Sequence, residues 1–198
     1  MIVSVRSGIG FCAEIVAMRL RLPGRSPGTT DDAPAGAPGS SPAAAPGATA
    51  DRVDRDALLE FLRPRHQAVL VTRRREGGVQ LSPVSCGIDG EGRVVVSTYP
   101  QRAKVANVRR DPAVSLCVLS EDWNGPWVQV DGEVEVLDLP EALEPLVEYY
   151  RSISGEHPDW DEYRAAMTKQ GKSLLRITVT GWGPIATGGF PPEIIDKL

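Results

Sequence analysis

The stretch QAVLVTRRREGGVQLSPVSCGIDGEGRVVVSTYP, residues 67–100, decides the fold. Its first seven residues, Gln67 to Arg73, alternate. Val69 and Val71 share one face and Ala68, Leu70 and Thr72 the other, which is the two-residue period of a strand. Glu76-Gly77-Gly78 is a turn signal, and Val79 to Cys86 returns as a second strand. Asp89-Gly90-Glu91-Gly92 turns the chain again, into a third strand from Arg93 to Tyr99 built on the β-branched run Val94-Val95-Val96. Short strands joined by tight turns pair antiparallel. No glycine-rich turn links a strand to a helix here, which argues against a doubly wound dinucleotide fold.

Reading outward, Asp54 can cap a helix through Leu58, Leu59, Phe61 and Leu62 that stops before Pro64. On the other side Pro100 breaks the third strand, and Gln101 to Arg110 reads as a short helix ended by Asp111-Pro112. Ala113 to Leu119 is a fourth strand. Trp127 to Leu137 is a long fifth, with Gly132 marking a bulge or bend. Leu143, Leu146, Val147, Tyr150 and Ile153 keep helical spacing, and Asp159 with Glu162 resembles a capping box for a further helix bearing Trp160, Tyr163 and Met167. Ser173 to Thr180 closes the set as a sixth strand. Antiparallel strands with helices grouped between the fifth and sixth predict an α+β fold around a small closed or split barrel.

Residues 21–50 hold 6 Pro, 5 Gly, 8 Ala and 6 Ser or Thr in 30 positions. Such a stretch buries too little apolar surface to offset its ordering entropy, so residues 1–50 are expected to be a disordered, low-complexity extension and residues 51–198 the folded domain. Arg6 and Glu14 interrupt the apolar stretch of residues 1–20, which reads as a dispensable tail and not as a membrane span. From Asp51 onward there are 18 Lys and Arg against 23 Asp and Glu, an acidic balance that disfavours nucleic-acid binding through a basic footprint. Two His and three Cys, with no CxxC or HExxH, argue against a zinc site or a disulfide framework. Unpaired cysteines suit the cytoplasm.

The segment Val94-Val95-Val96-Ser97-Thr98-Tyr99-Pro100-Gln101-Arg102-Ala103-Lys104 carries the chemistry. A strand delivers two hydroxyls, and a turn leads into a helix whose first turn holds Arg102 and Lys104. Cations there oppose the helix dipole, so they make sense if backbone N–H groups, hydroxyls and both cations converge on an anion such as a phosphate. A solvated basic helix face accounts for the same residues. Arg109 and Arg110 sit at the other end of that helix, where the dipole favours them, and read as structural. Arg73, Arg74 and Arg75 form a hairpin tip that a polyanionic ligand could meet. Pro83 in Gln80-Leu81-Ser82-Pro83-Val84 marks an edge, a bulge or a place where something approaches the backbone. Trp123 and Trp127 flank Asn124-Gly125-Pro126 and suit core, dimer interface or stacking wall, with core packing expected for one of them. His66, His157, Trp160, Glu133 and Glu135 read as structural or solvated.

Three stretches carry a resemblance to a known family: Val79 to Val84; Val95 to Thr98 with Arg102 to Pro112; and Tyr150-Arg151 with Gly155-Glu156-His157-Pro158-Asp159-Trp160. The domain looks like the pyridoxamine 5'-phosphate oxidase-like superfamily, and within it is most similar to the actinobacterial branch that uses the deazaflavin coenzyme F420. The last stretch is the most specific for that branch. The resemblance implies a six-stranded antiparallel split β-barrel with flanking helices, in a cytoplasmic homodimer whose site lies between subunits. It implies that Arg102 and Lys104 bind the cofactor phosphate, that Ser97 and Thr98 support the phosphate and ribityl chain, and that Ser82, Pro83 and Val84 line the ring through their backbone. Trp127 would come from the partner subunit. No catalytic side chain and no metal is implied. The Arg-rich substrate segment of the vitamin B6 oxidases is missing, so the implied activity is hydride transfer from reduced F420 to an electron-poor small molecule of quinone, enone or tetrapyrrole type. An FMN-dependent oxidoreductase and a non-catalytic F420 or tetrapyrrole carrier are the alternatives.

Overall fold

Alternating β-branched runs between turn residues fold as expected into antiparallel strands in the computed structural model, which describes residues 48–190 and 194. The strands are β1 (Ala50–Asp51), β2 (Gln67–Arg73), β3 (Val79–Ser85), β4 (Gly87–Ile88), β5 (Val94–Thr98), β6 (Ala113–Leu119), β7 (Trp127–Leu137), β8 (Ser173–Trp182) and β9 (Ile185–Ala186). The helices among the described residues are α1 (Arg55–Leu62), α2 (Ala103–Arg110), α3 (Leu143–Ser154) and α4 (Trp160–Gln170). Six strands were expected and nine are present among the described residues. The expected six are β2, β3, β5, β6, β7 and β8. The other three are two residues long, too short to show an alternation, and exist because of what they pair with.

The sheet runs β3-β2-β6-β7-β8-β5-β4, with β9 joined to β7 and β1 to β9. It curls. Inward residues from one end of the order (Ala68 and Leu70 of β2) to the other (Val94 and Val96 of β5) belong to one buried cluster with Leu116, Val130 and Ile177. This curled antiparallel sheet is a split barrel. Leu58 and Leu62 of α1 enter the same cluster, as do Val105 and Val108 of α2. The Asp54 side chain caps α1 by accepting from the Ala57 N–H at 2.9 Å.

Val95 and Leu174 point to the other face and are also buried, with α3 packed on β4 and β5. Strand β5 and the first half of β8, Ser173 to Ile177, are therefore covered on both sides, whereas Thr178 and Thr180 further along β8 are exposed. Gly87 lets α3 come close: a Cβ there would stand 2.1 Å from Ser152 Oγ. Beyond α3 the segment Gly155 to Trp160 ties the two helices together. The rings of Tyr150, His157, Trp160 and Tyr163 pack at centroid distances of 5.0 to 5.8 Å. Glu156 accepts from Arg151 Nε at 2.7 Å and Trp160 Nε1 at 3.1 Å, and the Arg151 bond leads in holding its carboxyl below the usual range. His157 Nδ1 accepts from the Asp159 N–H, and Asp159 caps α4 by accepting from Asp161 and Glu162. The segment that carries the family resemblance most specifically is a structural joint.

The low-complexity stretch before residue 48 lies outside the described residues. Folded structure begins ahead of Asp51: Ala50 pairs with Ala186, and the Thr49 and Thr187 hydroxyls lie 3.0 Å apart. Gly132 marks a bulge, as expected, with the β7–β8 register shifting between Asp131 and Gly132. A Cβ at Gly132 would stand 2.5 Å from the Thr178 carbonyl oxygen and 2.8 Å from Ile177 Cγ2. Gly132→Ala is therefore expected to cost about 1–3 kcal/mol, the usual price of overpacking. It would appear as a lower urea midpoint with an unchanged m-value. An unchanged midpoint would mean that the ladder yields without cost.

Candidate functional site

The turn from β5 into α2 sets the first part of the site. Successive strand residues face opposite ways, so the two candidate hydroxyls part company. Thr98 continues the inward face of Val94 and Val96 and is buried, whereas Ser97 lies with Val95 on the other side, half-buried. The Arg102 N–H closes the turn onto the Tyr99 carbonyl at 3.1 Å, and α2 starts at Ala103, two residues later than expected. Arg102 is thus the N-cap residue, extended and without a capping side-chain bond, and Lys104 is the second helical residue. Neither forms an ion pair among the described residues. The first turn holds no acid. Burial pushes the Lys104 ammonium below its ordinary range, and the Arg102 charge adds to this.

A third cation, which sequence reasoning missed, lies against Tyr99 in the same turn. Lys172 is buried, with Nζ 3.9 Å from the centre of the Tyr99 ring, and the Arg102 guanidinium lies 6.0 Å from that centre. Tyr99 in turn donates its hydroxyl to Gln170 Oε1 at 3.1 Å. Lys172 arrives there because Gly171 ends α4 in the left-handed region (φ 61°, ψ 45°) and swings the chain into β8. In sequence it reads only as the residue after a helix C-cap.

The second part is β3. Among the described residues it is an edge strand paired only with β2, which is why Pro83 is tolerated. Ser82 is buried and Val84 half-buried on one face, while Pro83 lies exposed on the opposite face against Val69. Only backbone contacts could let these three line one ring. Between β3 and α2 opens a cleft of about 500 Å³ with Arg74, Arg75 and Arg110 on its walls. Arg73 is instead paired with Asp111 at 3.1 Å, and Arg109 with Asp138. Arg109 is therefore structural, as expected.

Neither Trp near the β6–β7 turn is core. Trp123 is 85 % exposed, and Trp127, opposite Leu119 at the start of β7, is 38 % exposed. The expectation that one packs inside fails because the turn Ser120 to Pro126, braced on Asp122, carries both out of the barrel. His66 Nδ1 lies 3.1 Å from the Cys86 carbonyl and donates to it, a structural bond. The Cys86 thiol is pushed up to about 12 by burial and is inert at neutral pH. Among the described residues no cluster of His, Cys, Asp and Glu could hold a metal ion. None of the described helices is long and apolar enough to cross a membrane.

Residues 55–186 match the family model of pyridoxamine 5'-phosphate oxidase. The chain belongs to the pyridoxamine 5'-phosphate oxidase family. Solved structures share the fold. A conserved hypothetical protein of Mycobacterium tuberculosis superposes with a TM-score of 0.58 at 20 % identity, covering 69 % of this chain and 89 % of that one. A putative 5-nitroimidazole antibiotic resistance protein of Bacteroides thetaiotaomicron gives 0.56 at 13 % identity, with coverages of 73 % and 92 %. A FAD-binding protein of Mesorhizobium loti gives 0.51 at 15 % identity, with coverages of 72 % and 99 %. Within this family the matched span takes in every candidate site residue named above.

Proposed function

We propose that the chain is a coenzyme F420-dependent oxidoreductase that reduces an electron-poor small molecule of quinone, enone or tetrapyrrole type, working as a cytoplasmic homodimer. The observation that carries the reading is the pair of cations at the start of α2, whose first turn holds no acid and which form no ion pair among the described residues. Arg102 and Lys104 oppose the helix dipole and each other, and such an arrangement is stabilised when an anion takes the helix N-terminus. A phosphate fits there: Arg102 and Lys104 would bind it, with the buried Thr98 hydroxyl and the Ser97 segment supporting the chain that follows. The β3 backbone at Ser82, Pro83 and Val84 would lie along the ring. A bound deazaflavin supplies the hydride, and the chain supplies binding, orientation and exclusion of water. No side chain is assigned as a general acid.

Both F420 and FMN carry a phosphate. The longer anionic tail of F420 favours the first, because the cleft with Arg74, Arg75 and Arg110 begins at Ala103, beside the phosphate position. The test is a titration of the protein with F420 and with FMN, followed by a screen of acceptors. Tighter binding of F420 with turnover of at least one acceptor is expected. Preference for FMN would replace the cofactor, and tight F420 binding without any turnover would make the protein a carrier.

The homodimer has its own support. Val69, Val71, Leu81, Pro83, Leu119 and Trp127 share the outer face of β2, β3, β6 and β7, where the registers set Leu81 beside Val71 and Pro83 beside Val69. Leu81 is 62 % exposed. A contiguous apolar face of this kind marks an interaction surface. A second copy seated on it would bring Trp127 toward the partner's ring site.

A further inference from the structure

The corner where α4 passes into β8 grips the turn that opens α2. Tyr99 is the first residue of that turn, and its carbonyl accepts from the Arg102 N–H at 3.1 Å. Strand pairing sets Thr98 of β5 opposite Ser173 of β8, so the next residues outward, Tyr99 and Lys172, are neighbours. The two residues on either side of Gly171 then hold one ring. Gln170 Oε1 accepts from the Tyr99 hydroxyl at 3.1 Å, and Lys172 Nζ sits 3.9 Å from the ring centre.

Packing alone does not call for a lysine at this place. Lys172 is buried, and an apolar side chain of similar length would fill the same space without desolvating a charge. The charge also stands near another of its own sign. Arg102 lies 6.0 Å from the same ring centre, which puts the two cations within about 10 Å of each other, the Debye length at about 0.1 M salt. Like charges at that range raise the energy of the ligand-free turn, and an anion bound there lowers it for both. We propose that Lys172 is a further determinant of anion affinity at the α2 turn, acting by its charge and without touching the anion, and that Tyr99 is the positioning residue that seats it. The inference rests on the phosphate reading of that turn, to which it adds two residues with no role there so far.

Lys172→Met is the deciding substitution, because it keeps the length of the side chain and removes the charge. The probes are inorganic pyrophosphate and FMN, titrated into the full chain at low and at high salt. Lys172→Met should weaken both about three- to tenfold at low salt, the worth of one unit charge at this range, and the loss should shrink as salt is raised. A loss that ignores salt would mean that Lys172 only shapes the turn, and it overturns the proposal, as does undiminished binding. Tyr99 has its own arm. In the ligand-free protein its ring should displace the NMR signals of the Lys172 ε-methylene protons. Tyr99→Leu should restore them to their ordinary position and weaken the probes, whereas Tyr99→Phe, which keeps the ring, should hold both the signals and the affinity to within about twofold. The double variant Tyr99→Leu with Lys172→Met should bind no worse than Lys172→Met, since Tyr99 acts only through the charge. A further loss in the double variant, or unmoved Lys172 signals in Tyr99→Leu, overturns the seating role. Lys104→Ala separates this inference from the reading beneath it. If Lys104→Ala weakens the probes and Lys172→Met does not, the phosphate reading stands and the role of Lys172 falls. If neither probe nor F420 binds the unsubstituted protein, the phosphate reading itself falls and takes the role of Lys172 with it.

Discussion

Replacing Lys104 by alanine should weaken F420 binding about ten- to a hundredfold, the worth of one charge-assisted hydrogen bond, and leave the ligand-free protein as stable as before or slightly more so. The opposite directions follow from one geometry. Lys104 is half-buried in the first turn of α2, has no ion pair among the described residues and stands near Arg102. Burial first, and Arg102 second, hold its pKa below the ordinary 10.5. In the unfolded chain the ammonium keeps its proton up to that value, and in the folded chain it loses it earlier. Between the two pKa values the unfolded state binds more protons, so stability rises with pH across that window, and below it the full cost of the charged group is present. Lys104→Ala removes the cost at neutral pH and flattens the alkaline rise. Affinity for a phosphate should move the other way and fall as pH enters the same window. The paired measurement is thermal unfolding without ligand and cofactor titration from neutral to alkaline pH. If Lys104→Ala binds F420 undiminished and the ligand-free protein is destabilised, the cations are structural and the site lies elsewhere.

The second large effect concerns assembly. Leu81→Arg should convert a micromolar dimer to monomer in sedimentation. On an isolated chain Leu81 is a surface residue, and its replacement should change stability by no more than about 0.5 kcal/mol. At a two-fold interface the same face is used by both copies, so one substitution places two unpaired guanidinium groups against apolar surface. A stable interface buries about 800 Å² per partner, and an uncompensated charge near its middle is among the most disruptive changes available. Cofactor affinity should fall with dimerisation, because the ring site would lose the partner's Trp127. An unsubstituted protein that is monomeric yet binds cofactor tightly would sink the shared-site picture.

The parts of the fold legible from sequence are those in which local chemistry and tertiary packing agree. Strands β2, β6 and β7 have the bounds that their alternation predicts, and Asp54 and Asp159 cap the helices they were expected to cap. Strands β1, β4 and β9 carry no local signal, because two residues become a strand only when a distant segment lies alongside. The candidate site divides in the same way. Arg102 and Lys104 are found by their awkward position on a helix, a one-dimensional fact. Lys172 is beside Tyr99 only because α4 ends where it does, and Gln80 meets Asn107 across 27 residues. The parting of Ser97 and Thr98 was readable from strand alternation once the β5 residues facing the core were known.

Strand β5 and the first half of β8, Ser173 to Ile177, are a wall shared by two cores, the barrel interior on one side and the buried face beneath α3 on the other. No local opening can wet their amides without breaching one core or the other. In native-state hydrogen exchange they should therefore be the last to exchange, with an opening free energy equal to that of global unfolding. The β3 edge has a neighbour on one side only and should exchange through smaller fluctuations. The wall of the proposed site is in this sense more easily opened than that two-sided wall, so a cofactor can enter without loosening what keeps the chain folded.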